Sequence, residues 1–234
     1  MHQGQRTPSS LVETQLRRVR EQAERQYLGV HHSLGFAEDP KHLAFVLARY
    51  KFVAKMLQGY RSVLEIGCGD ALGSTLVAQS VQQLTCSDAE AAPLEGRADN
   101  VWLRQKARIV QHDIVAAPLK ERFDAVYALD VLEHIEPGNE ERALRHLVAS
   151  SDEEGVIILG TPNVTASAYA SRGSQIAHVN LKSYEALKDL VGRFYRHVFM
   201  FGMNDEVLHT GFGPMCHYLM ALGVGPRLNT DRVS

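Results

Sequence analysis

The sequence predicts an α/β fold in which a mostly parallel sheet is covered by helices on both faces. Three observations support this prediction. From residue 61 onward, short apolar runs alternate with longer stretches of helical character. The apolar runs are continuous, which is typical of strands buried on both faces. The first run ends at Ile66 in a glycine-rich turn that leads into a helix, as the first strand of an open α/β fold does.

Composition and cysteine usage fit one globular domain. The 234 residues suit a single α/β domain, alone or with a helical extension, and 45% of them are hydrophobic while 22% are charged. The three cysteines, Cys68, Cys86 and Cys216, are an odd and widely spaced set without a CxxC pair. No disulfide framework is therefore predicted, and a reducing cytoplasm fits the chain.

Charge and hydropathy argue against two classes of partner. The chain has 25 Lys and Arg against 27 Asp and Glu, whereas a duplex-binding domain usually has a basic excess. No apolar run approaches the roughly 18–20 residues that span a bilayer, and the first residues lack the apolar segment of a secretory signal. We therefore expect a cytoplasmic protein with no nucleic-acid or membrane partner.

The first 38 residues are expected to form a helical extension that acts as a lid, with the main domain at 39–234. Residues 11–28 are predicted as a charged helix, and residues 29–38, which contain two glycines and the pair His31-His32, as a surface loop. The next helix begins at the N-cap Asp39 and Pro40 and ends before Gly59. Arg49 lies in its apolar face, which is unusual for an arginine.

The remaining elements follow from the apolar runs and the turn residues. Strands are predicted at 62–66, 83–87, 108–112, 123–129, 155–160, 197–203 and 216–223. Helices are predicted at 72–81, 90–104, 138–150 and 184–194. The loop at 161–183 is long and rich in small polar residues, and such a loop inside a compact domain is more often functional than idle.

Glycines and acidic residues mark the ends of the first four strands. Gly67 and Gly69 follow the first strand, and Gly73 comes one residue later than the dinucleotide-binding spacing requires. Asp88 ends the second strand 21 residues after Gly67, about where an open α/β fold places an acid on ribose hydroxyls. Asp113 follows the third strand, and Asp130 follows the fourth strand, in the same way.

In this order and spacing the four segments, over about residues 45–203, resemble class I S-adenosylmethionine-dependent methyltransferases, most closely the branch with ubiquinone-type and sugar O-methyltransferases. The resemblance implies a Rossmann-like sheet of seven strands in the order 3-2-1-4-5-7-6, with strand 7 antiparallel. It also implies S-adenosylmethionine as the cofactor.

The resemblance implies a role for each matching residue. The turn around the methionine part of the cofactor corresponds to Glu65, Gly67, Cys68 and Gly69. The ribose acid corresponds to Asp88, with Ala89 beside it. The adenine amine would be bound by Asp113, between His112 and Ile114. Leu129 and Asp130 correspond to the end of strand 4 beneath the methionine moiety.

Two histidines are candidates for the chemistry. His134 comes just after strand 4, and an imidazole has the pKa of a general base near neutral pH; the alternative is a histidine that packs the turn. His178 is expected to position the acceptor, or to bond the backbone as a loop histidine. For Arg49 the alternatives are a contact to the cofactor carboxylate and a structural ion pair.

A metal site is not predicted. The side chains that could converge on a divalent ion have no short ligand spacing: Asp130, His134, His178, Asp205 and His209. The segment that contains Asp205 and His209 is interpreted either as an acceptor contact or as an ordinary hairpin connection.

The predicted function is O-methylation of a small hydroxylated acceptor. A sugar or surface-glycan precursor is the preferred acceptor class, and a phenol or quinol is the alternative. N-methylation of RNA or protein is disfavoured by the acidic balance and by the absence of an Asn-Pro-Pro-Tyr-type motif after strand 4. A non-catalytic cofactor-binding protein is the third alternative. The oligomeric state is left open, with a homodimer among the possibilities.

Overall fold

The computed structural model describes residues 10–23, 28–90 and 101–227. Three helices come first: α1 (Ser10–Ala23), α2 (Val30–Glu38) and α3 (Pro40–Met56). The side chain of Asp39 accepts a hydrogen bond from the backbone N–H of Lys41, and Pro40 occupies the first helical position. The predicted start of α3 is therefore confirmed.

Strands and helices then alternate along the chain. The strands are β1 (Ser62–Ile66), β2 (Gln83–Asp88), β3 (Ala107–Gln111), β4 (Phe123–Leu129), β5 (Ser151–Pro162), β6 (Tyr195–Asn204), β7 (Val207–His209) and β8 (Tyr218–Pro226). The helices among them are α4 (Ser74–Ala78), α5 (Val101–Lys106), α6 (Pro137–Ala149), α7 (Arg172–Ala177) and α8 (Tyr184–Phe194). Short 3-10 helices occur at Leu132–His134, Val164–Tyr169 and Gly213–Met215.

The strands form one sheet in the order β3-β2-β1-β4-β5-β8-β6-β7. β1 pairs in parallel with both β2 and β4, and β4 pairs in parallel with β5. β8 is antiparallel to both of its neighbours, β5 and β6. The predicted strand order and its antiparallel last strand are confirmed, and the short strand β7 is an additional edge strand antiparallel to β6.

The core consists of two apolar layers, one on each face of the sheet. β1 sends Leu64 and Ile66 into the layer that contains residues of α6 and α8. It sends Val63 into the other layer, against residues of α3 and α4. This alternation follows from the two-residue period of a strand, and it explains why the strand sequences are continuously apolar.

Several predicted elements differ from the observed ones. Residues 30–38, expected as a loop, form α2; no residue of α2 is buried, so its sequence lacks the apolar period that signals a helix. β5 begins four residues before its predicted start, and α4 covers only the middle of the predicted helix 72–81. The loop at 161–183 contains two short helical segments. The predicted helix 90–104 lies partly outside the described residues, as does the end of the first predicted helix.

Candidate active site

The candidate site lies where the strand order reverses between β1 and β4. The chain runs from β1 outward to β3 and then returns to place β4 on the other side of β1. In open α/β sheets the loops on either side of such a switch point diverge and leave a crevice at the carboxyl ends of the strands. The glycine turn after β1 and the residues after β4 border this crevice.

The turn after β1 depends on the absence of a side chain at Gly67. Its φ is +73°, and a Cβ there would lie 2.2 Å from a methyl carbon of Val131. The N–H groups of Gly67 and Cys68 donate to the carbonyl of Ser87 at 2.8 and 3.0 Å, which ties the turn to β2. Gly69 also has a positive φ, of +47°, but a Cβ there would meet no atom within 4 Å. A ligand can therefore approach the backbone closely at Gly69.

The carboxylate of Asp88 is fixed next to this turn. Its Oδ2 accepts from the N–H of Gly69 at 2.8 Å, and its Oδ1 accepts from the N–H of Glu90 at 3.0 Å. The neighbouring Ala89 is exposed, and its carbonyl accepts from the side chain of Gln111 at the end of β3. These contacts hold Asp88 in one orientation at the end of β2.

The segment after β3 is held by local hydrogen bonds. Asp113 is exposed, and its Oδ1 accepts from the N–H of Val115 at 2.8 Å. The ring of His112 lies 2.8 Å from the carbonyl oxygen of Ala117. Ile114 is buried and belongs to the core, so less of its surface is open to a ligand than the resemblance implies.

Glu65 supports the turn from inside the protein. Its side chain is only 1% exposed, and its Oε1 accepts from the hydroxyl of Tyr50 on α3 at 2.9 Å. Burial raises the pKa of Glu65, and the surrounding hydroxyls of Ser74, Tyr127 and Tyr50 offset part of the rise. This placement favours a supporting role rather than the direct cofactor contact that the resemblance implies.

An ion pair joins α3 to the end of β4. The Arg49 guanidinium donates to both carboxylate oxygens of Asp130, at 3.0 and 2.9 Å, and it lies 3.8 Å above the centre of the Tyr218 ring. Burial lowers the pKa of Arg49, but Asp130 and Tyr218 outweigh this effect and leave it raised. Asp130 follows the buried Leu129 and has a positive φ of 56°. The structural ion pair expected as one alternative for Arg49 is thus present, beside the crevice.

The two candidate histidines are in contact. The carbonyl of Glu133, in the 3-10 turn after β4, accepts from the N–H groups of Val179 and Asn180 at 2.8 and 3.1 Å. These bonds bring the loop after α7 against the turn. As a result the rings of His134 and His178 lie edge to face, with their centres 5.1 Å apart.

A buried carboxyl group lies beneath this histidine pair. The side chain of Glu133 is fully buried, and its Oε2 accepts from the hydroxyl of Thr161 at 3.0 Å. Burial raises the pKa of Glu133 to about 8, and the charge of Asp130 acts in the same direction. Burial and the neighbouring His134 lower the pKa of His178.

The start of α2 covers the glycine turn. His32 donates its backbone N–H to Oδ2 of Asp70 at 3.0 Å, and its ring nitrogen lies 3.2 Å from the same oxygen. Gly29 has a φ of +92°, and a Cβ there would lie 2.2 Å from the Asp70 side chain. The expectation that His31 and His32 are surface loop residues is wrong, because both lie in α2 and His32 contacts Asp70. The sequence contains no signal for this contact across 38 positions.

The polar stretch after β6 forms a hairpin. Asp205 lies in the turn between β6 and β7 with a φ of 52°. The ring of His209 lies 2.7 Å from Oδ1 of Asn204, whose amide donates to the carbonyl of Met215 at 3.0 Å. The structure thus agrees with the hairpin alternative, and His209 and Asn204 form hydrogen bonds within the hairpin and with the 3-10 turn that follows it.

Two open clefts of about 670 and 690 Å³ lie at the opposite edge of the sheet. They are lined by residues at the amino ends of the strands, such as Ser62, Gln83, Phe123 and Asp124. Ligands of open α/β sheets bind at the carboxyl edge, so we place the site there rather than in these clefts.

Comparisons with known proteins identify the family of this chain. A family model described as "Methyltransferase domain" matches residues 19–199. The chain is 32% identical over 114 residues to a ubiquinone biosynthesis O-methyltransferase of Stutzerimonas stutzeri. The matched segment covers 47% of this chain and 48% of that protein. A protein of the same name from Rickettsia felis is 27% identical over 129 residues and has 48% of its length covered. The chain thus spans about half the length of these relatives.

Solved structures show the same fold. The methyltransferase domain of bacterial CtHen1-C superimposes with a TM-score of 0.63 at 16% identity, over 76% of this chain and 97% of that one. The N-methyltransferase NodS of Bradyrhizobium japonicum, in complex with S-adenosyl-L-homocysteine, gives a TM-score of 0.59 at 16% identity, over 77% of this chain and 85% of that one.

Among the residues that the structure describes, none of the helices has the length and apolar character of a membrane span. The chain belongs to the methyltransferase domain family, and its sheet is that of class I S-adenosylmethionine-dependent methyltransferases.

Proposed function

We propose that this protein transfers the methyl group of S-adenosylmethionine to a hydroxyl group of a small acceptor. The observation that carries the proposal is the position of the His134–His178 pair, next to Asp130 at the switch point where the family binds its cofactor. In the reaction the sulfur–carbon bond of the sulfonium breaks and an oxygen–carbon bond forms. The hydroxyl proton leaves, and the products are a methyl ether and S-adenosylhomocysteine.

The cofactor would lie along the carboxyl ends of β1, β2 and β4. Asp88 would accept hydrogen bonds from the ribose hydroxyls, because its carboxylate is already held beside the glycine turn. Asp113, on the loop after β3, would bind the adenine amine. Arg49 would bind the cofactor carboxylate while it keeps its contact with Asp130. A bound ligand fixed at both ends would present its methyl group to the histidine pair, and such alignment is a large part of methyl-transfer catalysis.

The acceptor class has two candidates. The sequence favours a sugar or surface-glycan precursor. A phenol or quinol is supported by the names of the curated relatives and by large apolar side chains exposed on the loops after β5 and β7. Tyr169, Phe212 and Met215 are 87%, 69% and 72% exposed, and the hydroxyl of Thr165 ties their two loops together through the carbonyl of Pro214. An acceptor with an apolar part would cover this surface.

The proposal is tested with the purified full chain. We expect one S-adenosylhomocysteine molecule to bind per chain in calorimetry, and labelled methyl to be transferred to a hydroxyl group in a panel of sugar nucleotides, catechols, amines and RNA. Mass spectrometry of the product identifies the methylated atom. Methylation of amines or RNA alone would contradict the proposal. Cofactor binding without transfer to any acceptor would favour the non-catalytic alternative.

The histidine pair gives a kinetic prediction. Without help a hydroxyl is a poor nucleophile at neutral pH, so activation of the acceptor is expected to contribute about 10²–10⁴ in rate. His134→Ala should therefore lower kcat by that order and leave the affinity for S-adenosylhomocysteine unchanged. His197→Ala is a matched control, because His197 is exposed near the start of β6. A wild-type kcat in His134→Ala, with methyl transfer rate-limiting, would remove His134 from the chemistry.

A further inference from the structure

We propose that Glu133, His134 and His178 bind a divalent cation, and that the cation holds and activates the acceptor hydroxyl. This inference rests on the proposed function for its catalytic role, but the binding of the cation can be tested by itself.

The first observation is geometric. Each of the three residues offers one ligand atom, and these atoms lie within 4.8 Å of one another. Ligand atoms of a tetrahedral zinc site are about 3.3 Å apart, so small side-chain rotations would close the set around an ion. The cluster is assembled by the backbone bonds from Val179 and Asn180 to the carbonyl of Glu133, which join segments more than 40 positions apart.

The second observation is an unpartnered oxygen on Glu133. Oε2 accepts from Thr161, whereas Oε1 is buried and has no hydrogen-bond partner among the described residues. A buried carboxyl oxygen without a hydrogen-bond partner is energetically unfavourable. A cation at the cluster would supply the missing partner. Thr161 would then orient the ligand through the other oxygen, as hydrogen-bonded neighbours of metal ligands generally do.

The ligand set indicates the kind of cation. Two imidazole nitrogens and one carboxylate oxygen form the set used by catalytic zinc sites, where a fourth position stays open. Imidazole with carboxylate also suits other first-row divalent ions such as Mn²⁺. The charge of Asp130 acts on both Glu133 and His178, and its ion pair with Arg49 balances part of that charge.

The open position gives the cation its role in methyl transfer. A hydroxyl oxygen bound to a divalent cation loses its proton more readily, as metal-bound water does. The proton would pass to solvent, and the resulting alkoxide or phenoxide would attack the methyl carbon as the carbon–sulfur bond breaks. His134 would act as a ligand, so the cation would replace the direct proton transfer to His134 that the sequence suggests.

The test measures cation binding before activity. The full chain, treated with a chelator and then freed of it, is titrated with Zn²⁺ and with Mn²⁺ in a calorimeter. We expect one ion per chain, with affinity lowered at least tenfold in Glu133→Gln and in His178→Ala. His197→Ala should bind as the wild type does, and circular dichroism verifies that each variant is folded. Equal affinity in wild type and His178→Ala, or no binding of either ion, overturns the site.

The catalytic role has a separate readout. If methyl transfer is found, chelator should reduce it at least tenfold, and the added ion should restore it. S-adenosylhomocysteine binding should stay within about twofold throughout, because Asp88 and the glycine turn do not contact the cluster in the proposed arrangement. Full activity in chelator overturns the metal proposal and leaves the methyltransferase proposal standing. Binding of one ion per chain without methylation of any acceptor would support the metal site and overturn the methyltransferase proposal.

Discussion

At the scale of single residues, Asp88 has an observed structural role and a proposed ligand-binding role. Its carboxylate orders the glycine turn through the N–H of Gly69, and we propose that it also accepts hydrogen bonds from the ribose hydroxyls of the cofactor. Because hydrogen bonds to a charged group contribute about 1.5–3 kcal/mol each, Asp88→Ala should weaken S-adenosylhomocysteine binding at least tenfold. Calorimetry measures the change. Asp189→Ala, on the exposed face of α8, is the control, and equal affinity in the two variants would remove Asp88 from the site.

Gly67 offers a second test at this scale. A side chain there would have to adopt a φ of +73° and overlap Val131, so Gly67→Val should abolish cofactor binding and lower the unfolding temperature. Gly59→Ala is a matched control, because Gly59 also has a positive φ of +86°, but no atom lies within 4 Å of its added Cβ. The control isolates the backbone strain from the steric overlap. Near-normal turnover in Gly67→Val would contradict the assignment of the turn after β1.

At the scale of elements, α2 is the segment best suited to move. It buries none of its own residues, and it contacts the glycine turn through His32 and Asp70. Lids are formed by segments of low local stability, and the absence of buried residues in α2 indicates that its local stability is low. The boundary after residue 38 remains a prediction, and the family match begins at residue 19, inside the predicted extension.

Deleting residues 1–38 is therefore expected to leave a folded domain with lower catalysis. The core should persist because both apolar layers are built from later elements. His32→Ala is a milder variant that removes only the ring contact to Asp70. Hydrogen exchange in α2 should slow when S-adenosylhomocysteine is added, and exchange that ignores both cofactor and acceptor would contradict the lid.

At the scale of the whole molecule, Asp124 joins β1 to β4 at the amino edge of the sheet. Its Oδ2 accepts from the N–H groups of Arg61 and Ser62, both at 3.1 Å. Burial raises the pKa of Asp124, but these bonds and the Arg61 guanidinium outweigh burial and leave the pKa below its ordinary value of 3.8. The charged form is thus the one that the fold stabilises.

The sign of the pH effect follows from this shift. The stability that Asp124 contributes is present above its unfolded pKa of about 3.8 and is lost as the pH falls through the lower folded value. Asp124→Asn should lower the free energy of unfolding by about 1–3 kcal/mol at pH 7. In urea titrations the difference from wild type should shrink progressively below pH 4, because the protonated acid resembles the amide. A difference that stays constant down to pH 2 would contradict this account.

The parts of the fold that could be predicted are those that depend on the residues of one short segment. Continuous apolar runs located β1 and β4 at their observed bounds, since strands buried on both faces leave a strong signal. Asp39 and Pro40 located the start of α3 for an equally local reason. The order of the sheet came from the resemblance to a known family, because strand order leaves no mark on any single segment.

The sequence by itself determined the α/β fold, the glycine turn and the acidic residues that end β2 and β4. These depend on backbone conformation and on the two-residue period of buried strands, which are properties of short segments. Only the tertiary structure decided that His32 contacts Asp70, that Arg49 pairs with Asp130, and that His178 lies against His134 above a buried Glu133. Each of these contacts joins residues 38 or more positions apart. Such contacts form only when the strands and helices pack, so no local pattern in the chain can encode them.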